Sequence, residues 1–248
     1  MIVHDKQVLG FKTRTIWLSD KPFDVDGIDS VYFHACRTKM EMPGFQREDR
    51  ATIVIDLARD MDELWSKVSS KCRSGIRRAE GDGVIIHMDR DHEAFLRLNE
   101  EFRAVKGLDH NTFPLSFTQE KGRLFIAEMD GEMVGGVLFL DDGKTLLGLL
   151  SASRRLDVED GRRCDVSNAN RLIWWRAIEY AKENGLEQVD MGGYYIGSEP
   201  NPQAEGINEF KRRFGGEVIS SYEYRKDYTL KIRMARMVQQ KIAHQFPH

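Results

Sequence analysis

The chain has 248 residues, 41% of them hydrophobic and 31% charged, which is enough apolar surface for one large domain or two small ones and argues against disorder. With 37 basic against 40 acidic side chains the formal net charge is -3, so the molecule as a whole makes no electrostatic case for nucleic acid, and any anion site must be local. The three cysteines, Cys36, Cys72 and Cys164, are far apart and form no CxxC pair, which argues against a disulfide framework or a zinc site and fits a reducing compartment.

The N-terminal segment is too charged for a signal peptide, and no stretch approaches ~18 uninterrupted apolar residues. The expectation is a cytoplasmic protein that does not span a membrane. Apolar and β-branched side chains cluster over residues 8–18, 31–36 and 51–57, which predicts strands. Helical periodicity follows through Met61, Leu64, Trp65, Val68, Cys72, Ile76 and Ala79, with Asp60 as its cap and the glycines at 81–83 as its stop. A short strand over 84–88 and a helix over 92–105 come next, then a loop over 107–114 and a further helical turn.

The segment RLFIAEMDGEMVGGVLFLDDGKTLLGLLSAS reads as three strands joined by two DG turns, an antiparallel meander. After a polar loop over 154–166, Ser167 marks the start of a helix whose core face includes Leu172, Trp175, Ile178 and Ala181 and which ends at Asn184 and Gly185. QVDMGG is a strand that stops at two glycines; INEFKRRFGG is a short helix, EVISSYEYR a strand, and residues 228–245 a last helix. This order predicts a mixed α/β fold, with a mixed sheet in place of the strict alternation of a doubly wound one. Neither a GxGxxG nor a Walker-type loop is present.

The run MDELWSKVSSKCRSGIRRAEGDGV, the meander ending in LLSAS, the helix SNANRLIWWRAIEYAKENG followed by VDMGG, and INEFKRRFGGE resemble the FemABX peptidyltransferases and their GNAT-like relatives, over roughly residues 51–226. The resemblance implies a reduced N-terminal GNAT-like unit at 1–83, a complete GNAT-like acyltransferase unit at 84–228, and a C-terminal basic helix at 229–248. It implies aminoacyl transfer from aminoacyl-tRNA to an amine of a peptidoglycan precursor or, in wider relatives, acyl transfer from acyl-CoA. Either donor is a substrate, and no bound cofactor is expected. A third reading keeps the fold as a non-catalytic module that holds tRNA or a cell-wall precursor. Where an acetyltransferase usually carries a glycine-rich turn for the CoA pyrophosphate, this chain has SRRLDVEDGRRCDVSNAN, with one glycine.

Acyl transfer to an amine needs a neutral nucleophile, an outlet for its proton, and positive charge where the carbonyl oxygen becomes an oxyanion. The resemblance places Lys211 near the acyl donor in that last role; by charge alone it is a solvated helix lysine beside Arg212 and Arg213. Asp190, at a strand end ahead of two glycines, can orient an amine or accept a proton, or simply bond nearby amides. Tyr194 and Tyr195 follow it and can face the cleft, Tyr194 as a catalytic donor and Tyr195 as a substrate contact, or one of the pair simply packs. Phe210 and Phe214, four apart, pack the short helix, and Phe210 can also line the site. Asn168 and Asn170 flank the expected helix start, as caps or donor contacts. Lys67, Lys71, Arg73, Arg77 and Arg78 form one basic helix, and Arg225, Lys226, Lys231, Arg233, Arg236 and Lys241 a second basic run; both suit phosphate or are solvated faces. The seven histidines show no ligand spacing, so no metal is expected, and His110 alone merits a test as a base.

Overall fold

The computed structural model describes residues 1–110 and 113–245, without the side chains of Val8 and 239–245. In chain order the strands are β1 (Ile2–Val8), β2 (Phe11–Trp17), β3 (Ser30–Cys36), β4 (Gln46–Asp56), β5 (Ile85–Met88), β6 (Gly122–Met129), β7 (Glu132–Asp141), β8 (Thr145–Ser153), β9 (Gln188–Tyr194) and β10 (Glu217–Asp227). The helices are α1 (Met61–Lys67), α2 (Ser70–Gly81), α3 (His92–Val105), α4 (Leu115–Lys121), α5 (Asp160–Glu183), α6 (Pro202–Arg212) and α7 (Leu230–Gln245). The fold is mixed α/β, as expected. Packing groups the chain into one unit of Met1–Ala51 with the chain from Ser220 on, and a second of Thr52–Ile219. Strands β4 and β10 are each divided between the units.

The second unit carries the strand order β4-β9-β8-β7-β6-β5. Strict alternation decides its faces. Phe125, Ala127, Val137 and Phe139 meet a core formed with Leu64, Cys72 and Ile76 and with Leu172, Ile173 and Trp174. Leu124, Ile126 and Leu138 meet Phe95 and Leu98 on the opposite side. Helices α2 and α5 therefore cover one face and α3 the other, which is why the meander strands read as nearly continuous apolar runs.

In the first unit, β2 pairs antiparallel with β1 and parallel with β3, and β3 pairs antiparallel with β10. Ile16, Val31, Phe33 and Tyr224 fill its core. The Tyr224 hydroxyl donates to Thr38 O at 2.9 Å and accepts from Met40 N at 2.9 Å. On the other side of β3, Glu223 accepts from the Tyr32 hydroxyl at 2.5 Å and from Arg50 Nε at 3.2 Å, and lies 3.1 Å from His34 Nδ1.

Element boundaries depart from the sequence reading in several places, four of them with a clear local cause. Residues 8–18 are not one strand, because Leu9 and Gly10 both take positive φ (51° and 81°) in a tight two-residue turn, a position where leucine is a poor signal. The helix expected from 61 to 79 breaks at Val68, whose N–H bonds Trp65 O at 3.2 Å, and Ser69 caps α2 by accepting from Cys72 N at 3.3 Å. Helix α5 begins at Asp160 rather than at Ser167, so the polar run before Asn168 is itself helical and neither Asn168 nor Asn170 is a cap. Helix α6 starts early, at Pro202, with Asn201 Oδ1 accepting from Ala204 N at 3.0 Å; proline at a first helical position loses no bond.

Candidate active site

Strands β8 and β9 are hydrogen-bonded in parallel only at Thr145–Gln188, Leu146–Val189 and Leu147–Asp190. Beyond Leu147 the ladder stops while both strands run on, to Ser153 and Tyr194, so the two edges part and leave a notch. Two local features produce the parting. A bulge on β8 puts Leu150 opposite Leu138 and Gly148 opposite Phe139, leaving Leu149 as the extra residue. On β9, Gly192 takes a φ of 76° that a side chain rarely adopts, and a Cβ there would stand 3.0 Å from Gly148 O.

Asp190 sits at the vertex of the notch, fully buried. It accepts from Gly192 N–H at 2.8 Å, and the Thr52 hydroxyl lies between Asp190 Oδ1 and Gly192 O, 2.9 Å from the latter. Having one proton, that hydroxyl serves one acceptor at a time. Lys211, in the last turn of α6, donates from Nζ to Gly192 O at 3.0 Å and to Gly193 O at 2.6 Å. Burial pulls the Lys211 pKa down from 10.5 to about 8, against the opposing pull of the Asp190 charge. The result is an ammonium that is still charged at neutral pH and poorly solvated, which suits it to stabilise a negative oxygen formed in the notch.

An aromatic chain holds Lys211 in place. The Trp174 ring lies edge-on to Phe139 at 5.0 Å and 6.5 Å from Phe214, and Phe214 meets Phe210 at 5.4 Å. Phe210 and Phe214 thus fix α6 to the core, and Lys211 between them is left on the side facing β9. Gly148 makes room for the Trp174 indole; a Cβ there would come within 2.6 Å of it. Asn208, also on α6 and buried, accepts from Tyr195 N at 3.0 Å and donates to Tyr195 O at 2.9 Å, tying the end of β9 to the helix as a neighbouring strand would.

The structure brings Asp190 and Lys211 together at the notch, with Phe210 behind them. The Tyr194 ring lies under the Arg212 guanidinium at 5.1 Å, while the Tyr195 hydroxyl turns back to Glu199 O at 2.6 Å. Arg77 and Arg78 point elsewhere: Arg77 stacks over Trp65 at 5.4 Å, and Arg78 lies near Asp82 and Asp165 at 3.4 and 3.5 Å. Asn168 Oδ1 accepts from Arg171 Nη1 at 2.7 Å, between α5 and α2, and Asn170 lies against Gly135 on β7. Arg73 satisfies carbonyls at the end of α1, including Ser66 O at 3.0 Å. In the second basic run, Lys226 pairs with Asp24 and Arg236 with Asp227, at 2.6 and 2.9 Å, and the Lys241 side chain lies outside the described residues. His110 pairs with Glu100 at 2.9 Å. Thr52, Gly148 and Asn208 escape sequence reading, because each acts on a partner distant in the chain.

The model of a family described as the acetyltransferase (GNAT) domain matches residues 66–212, from α1 to the end of α6. Among solved structures, the chain resembles FemX at 14% identity and a TM-score of 0.64, with 93% of this chain and 85% of that one covered. It also resembles the structure of L-PGS from Bacillus licheniformis at 12% identity, TM-score 0.57, covering 96% and 84% of the two chains. The C-terminal domain of a putative lysylphosphatidylglycerol synthetase from Agrobacterium fabrum aligns at 14% identity and TM-score 0.55, over 84% and 70%. No curated protein sequence matches significantly.

Proposed function

Because the chain belongs to the acetyltransferase (GNAT) domain family and is an acyltransferase, we propose that it moves an aminoacyl group from aminoacyl-tRNA to an amine acceptor at the notch between β8 and β9. The observation that carries this reading is the desolvated Lys211 ammonium held over the Gly192 and Gly193 carbonyls beside the open strand edges. The acceptor amine attacks the ester carbonyl, the oxygen becomes an oxyanion opposite Lys211, and collapse expels the ribose hydroxyl, which takes up the proton lost by the amine. Asp190, sealed from solvent, acts on the substrate through its charge on Lys211 and through the Gly192 amide.

The choice of donor rests on the start of α5, where CoA pyrophosphate would dock on free helix amides. Here the helix opens with Glu159 and Asp160, which put negative charge at that end, and Arg162 and Arg163 are paired to Asp130 and Asp160, both at 2.6 Å. Likeness in fold to FemX and to lysylphosphatidylglycerol synthetase structures supports the same direction. A peptidoglycan precursor is one amine-bearing acceptor consistent with the reading. The family match favours acyl-CoA as the second reading.

A thermal-shift titration separates the donors, since a ligand that binds only the folded chain raises its melting temperature. Aminoacyl-tRNA is expected to stabilise the protein in a salt-sensitive manner. Stabilisation by acetyl-CoA alone would replace this reading with the acyl-CoA one. Turnover that survives Lys211→Ala in a folded protein would remove Lys211 from the chemistry.

A further inference from the structure

Arg171 is a guanidinium without a carboxylate. It projects from α5 toward α2, partly buried, and its Nη1 donates to Asn168 Oδ1 at 2.7 Å. Its Nε is buried with no partner, and among the described residues no acidic side chain is ion-paired to it. A cation taken from water in this way is costly unless an anion completes the arrangement.

The surroundings add to the deficit. Burial pulls the Arg171 pKa down from its ordinary value, as do the charges of Arg213 and Arg155, against an opposite pull from the Cys72 and Cys164 thiols. Arg213, just past α6, is itself bonded to Glu209 at 3.1 Å, and Arg155 follows the end of β8. The end of α6, which borders the notch, lies at the start of α2, where Arg213 O accepts from Ser69 N at 2.8 Å. Room for the Arg171 side chain is built into α2. A Cβ at Gly75 would lie 2.7 Å from Asn168 Oδ1, 3.0 Å from Arg171 Cδ and 3.3 Å from its Nη1. Glycine inside a helix costs about 1 kcal/mol relative to alanine, so this vacancy has a price in helix stability.

We propose that Arg171, oriented by Asn168 across Gly75, is a phosphate-binding site that holds a backbone phosphate of the donor RNA close to its acylated end. The assignment to the donor rests on the aminoacyl-tRNA reading; the preference for a phosphate oxyanion rests on the unpaired guanidinium itself. A fork of N–H donors matches two oxygens of a phosphate in bidentate geometry.

The test is NMR of the full-length protein labelled with ¹⁵N-arginine, following the Nε–H resonance that disappears in Arg171→Lys. Probes are inorganic phosphate, an RNA minihelix ending in CCA, and CoA. Saturable shifts with phosphate and with the minihelix are expected. Arg171→Met should weaken minihelix binding about 10-fold and lower the slope of log affinity against log salt by about one. Gly75→Ala should weaken it as well, with every charge kept and helix propensity raised. An Nε–H resonance that stays unmoved by phosphate and minihelix, while the minihelix still raises the melting temperature, overturns the site and leaves the donor reading intact. Movement with phosphate and CoA, with no minihelix binding, overturns the donor assignment and leaves the phosphate site standing.

Discussion

Replacing Lys211 by methionine should make the protein more stable and less active. A pKa that falls from 10.5 to about 8 on folding means that the protonated side chain opposes the folded state by at most about 3 kcal/mol. Partial exposure screens some of this. Methionine also gives up the bonds to Gly192 O and Gly193 O, worth about 1 kcal/mol each. A net gain of about 1 kcal/mol at pH 7 remains, or roughly 2–4 °C in melting temperature. The sign against pH follows from proton counting: between about pH 8 and 10.5 the unfolded chain holds a proton that the folded one has released, so wild-type stability climbs relative to the variant. Urea denaturation of both proteins from pH 6 to 10.5 reads this directly. The advantage of Lys211→Met should be largest below pH 8, vanish near pH ~9 and reverse by about 2 kcal/mol near pH 10.5, while turnover drops about 10²- to 10³-fold. A variant less stable than wild type at pH 7, or a difference that does not change with pH, would refute the reasoning.

Turnover by the wild-type protein should fall as pH rises through about 8, because a cation rather than a free amine is required; Asp190→Asn should move that limb to lower pH, since the Asp190 charge supports the protonated form. Asn208→Ala removes both bonds to the Tyr195 backbone and should speed hydrogen exchange at the Tyr195 amide, with a cost of about 1–3 kcal/mol in local stability. In the first unit, burial would raise the Glu223 pKa, but bonds from His34 and Tyr32 outweigh it and hold the carboxyl at about 2. The folded state is therefore favoured above pH ~4.5, and this contribution is lost as pH falls toward 2. Glu223→Gln should cost about 2 kcal/mol at pH 7 and nothing near pH 2, as measured by acid unfolding.

The parts of this molecule that depend on periodicity were legible in the sequence. The meander announced itself by two DG turns between apolar runs, and the core face of α5 by the spacing of Leu172, Trp175, Ile178 and Ala181. Phe210 and Phe214, four apart, predicted how α6 would be anchored, leaving Lys211, Arg212 and Arg213 to divide between site and solvent. What periodicity does not carry is where a ladder stops. The notch depends on a bulge at Leu149 and a positive φ at Gly192, neither of which leaves a mark beyond a glycine in an ordinary strand. The true start of α5 was hidden because its first two turns are polar and exposed, so no apolar stripe marked them. Arg171 was hidden for a different reason: a charged residue in a helix looks solvated until the glycine across from it, on another helix, is placed.

Trp174 gives the active site its own optical reporter. Its indole rests on the backbone of Gly148, within reach of the parting strands, and faces Phe214 at the root of the segment that carries Lys211. Any movement of α6 on the sheet changes the polarity and the quenching groups around that ring. With Trp17, Trp65 and Trp175 replaced by phenylalanine, the remaining emission would follow opening and closing of the notch in real time, without a label and without knowledge of the acceptor.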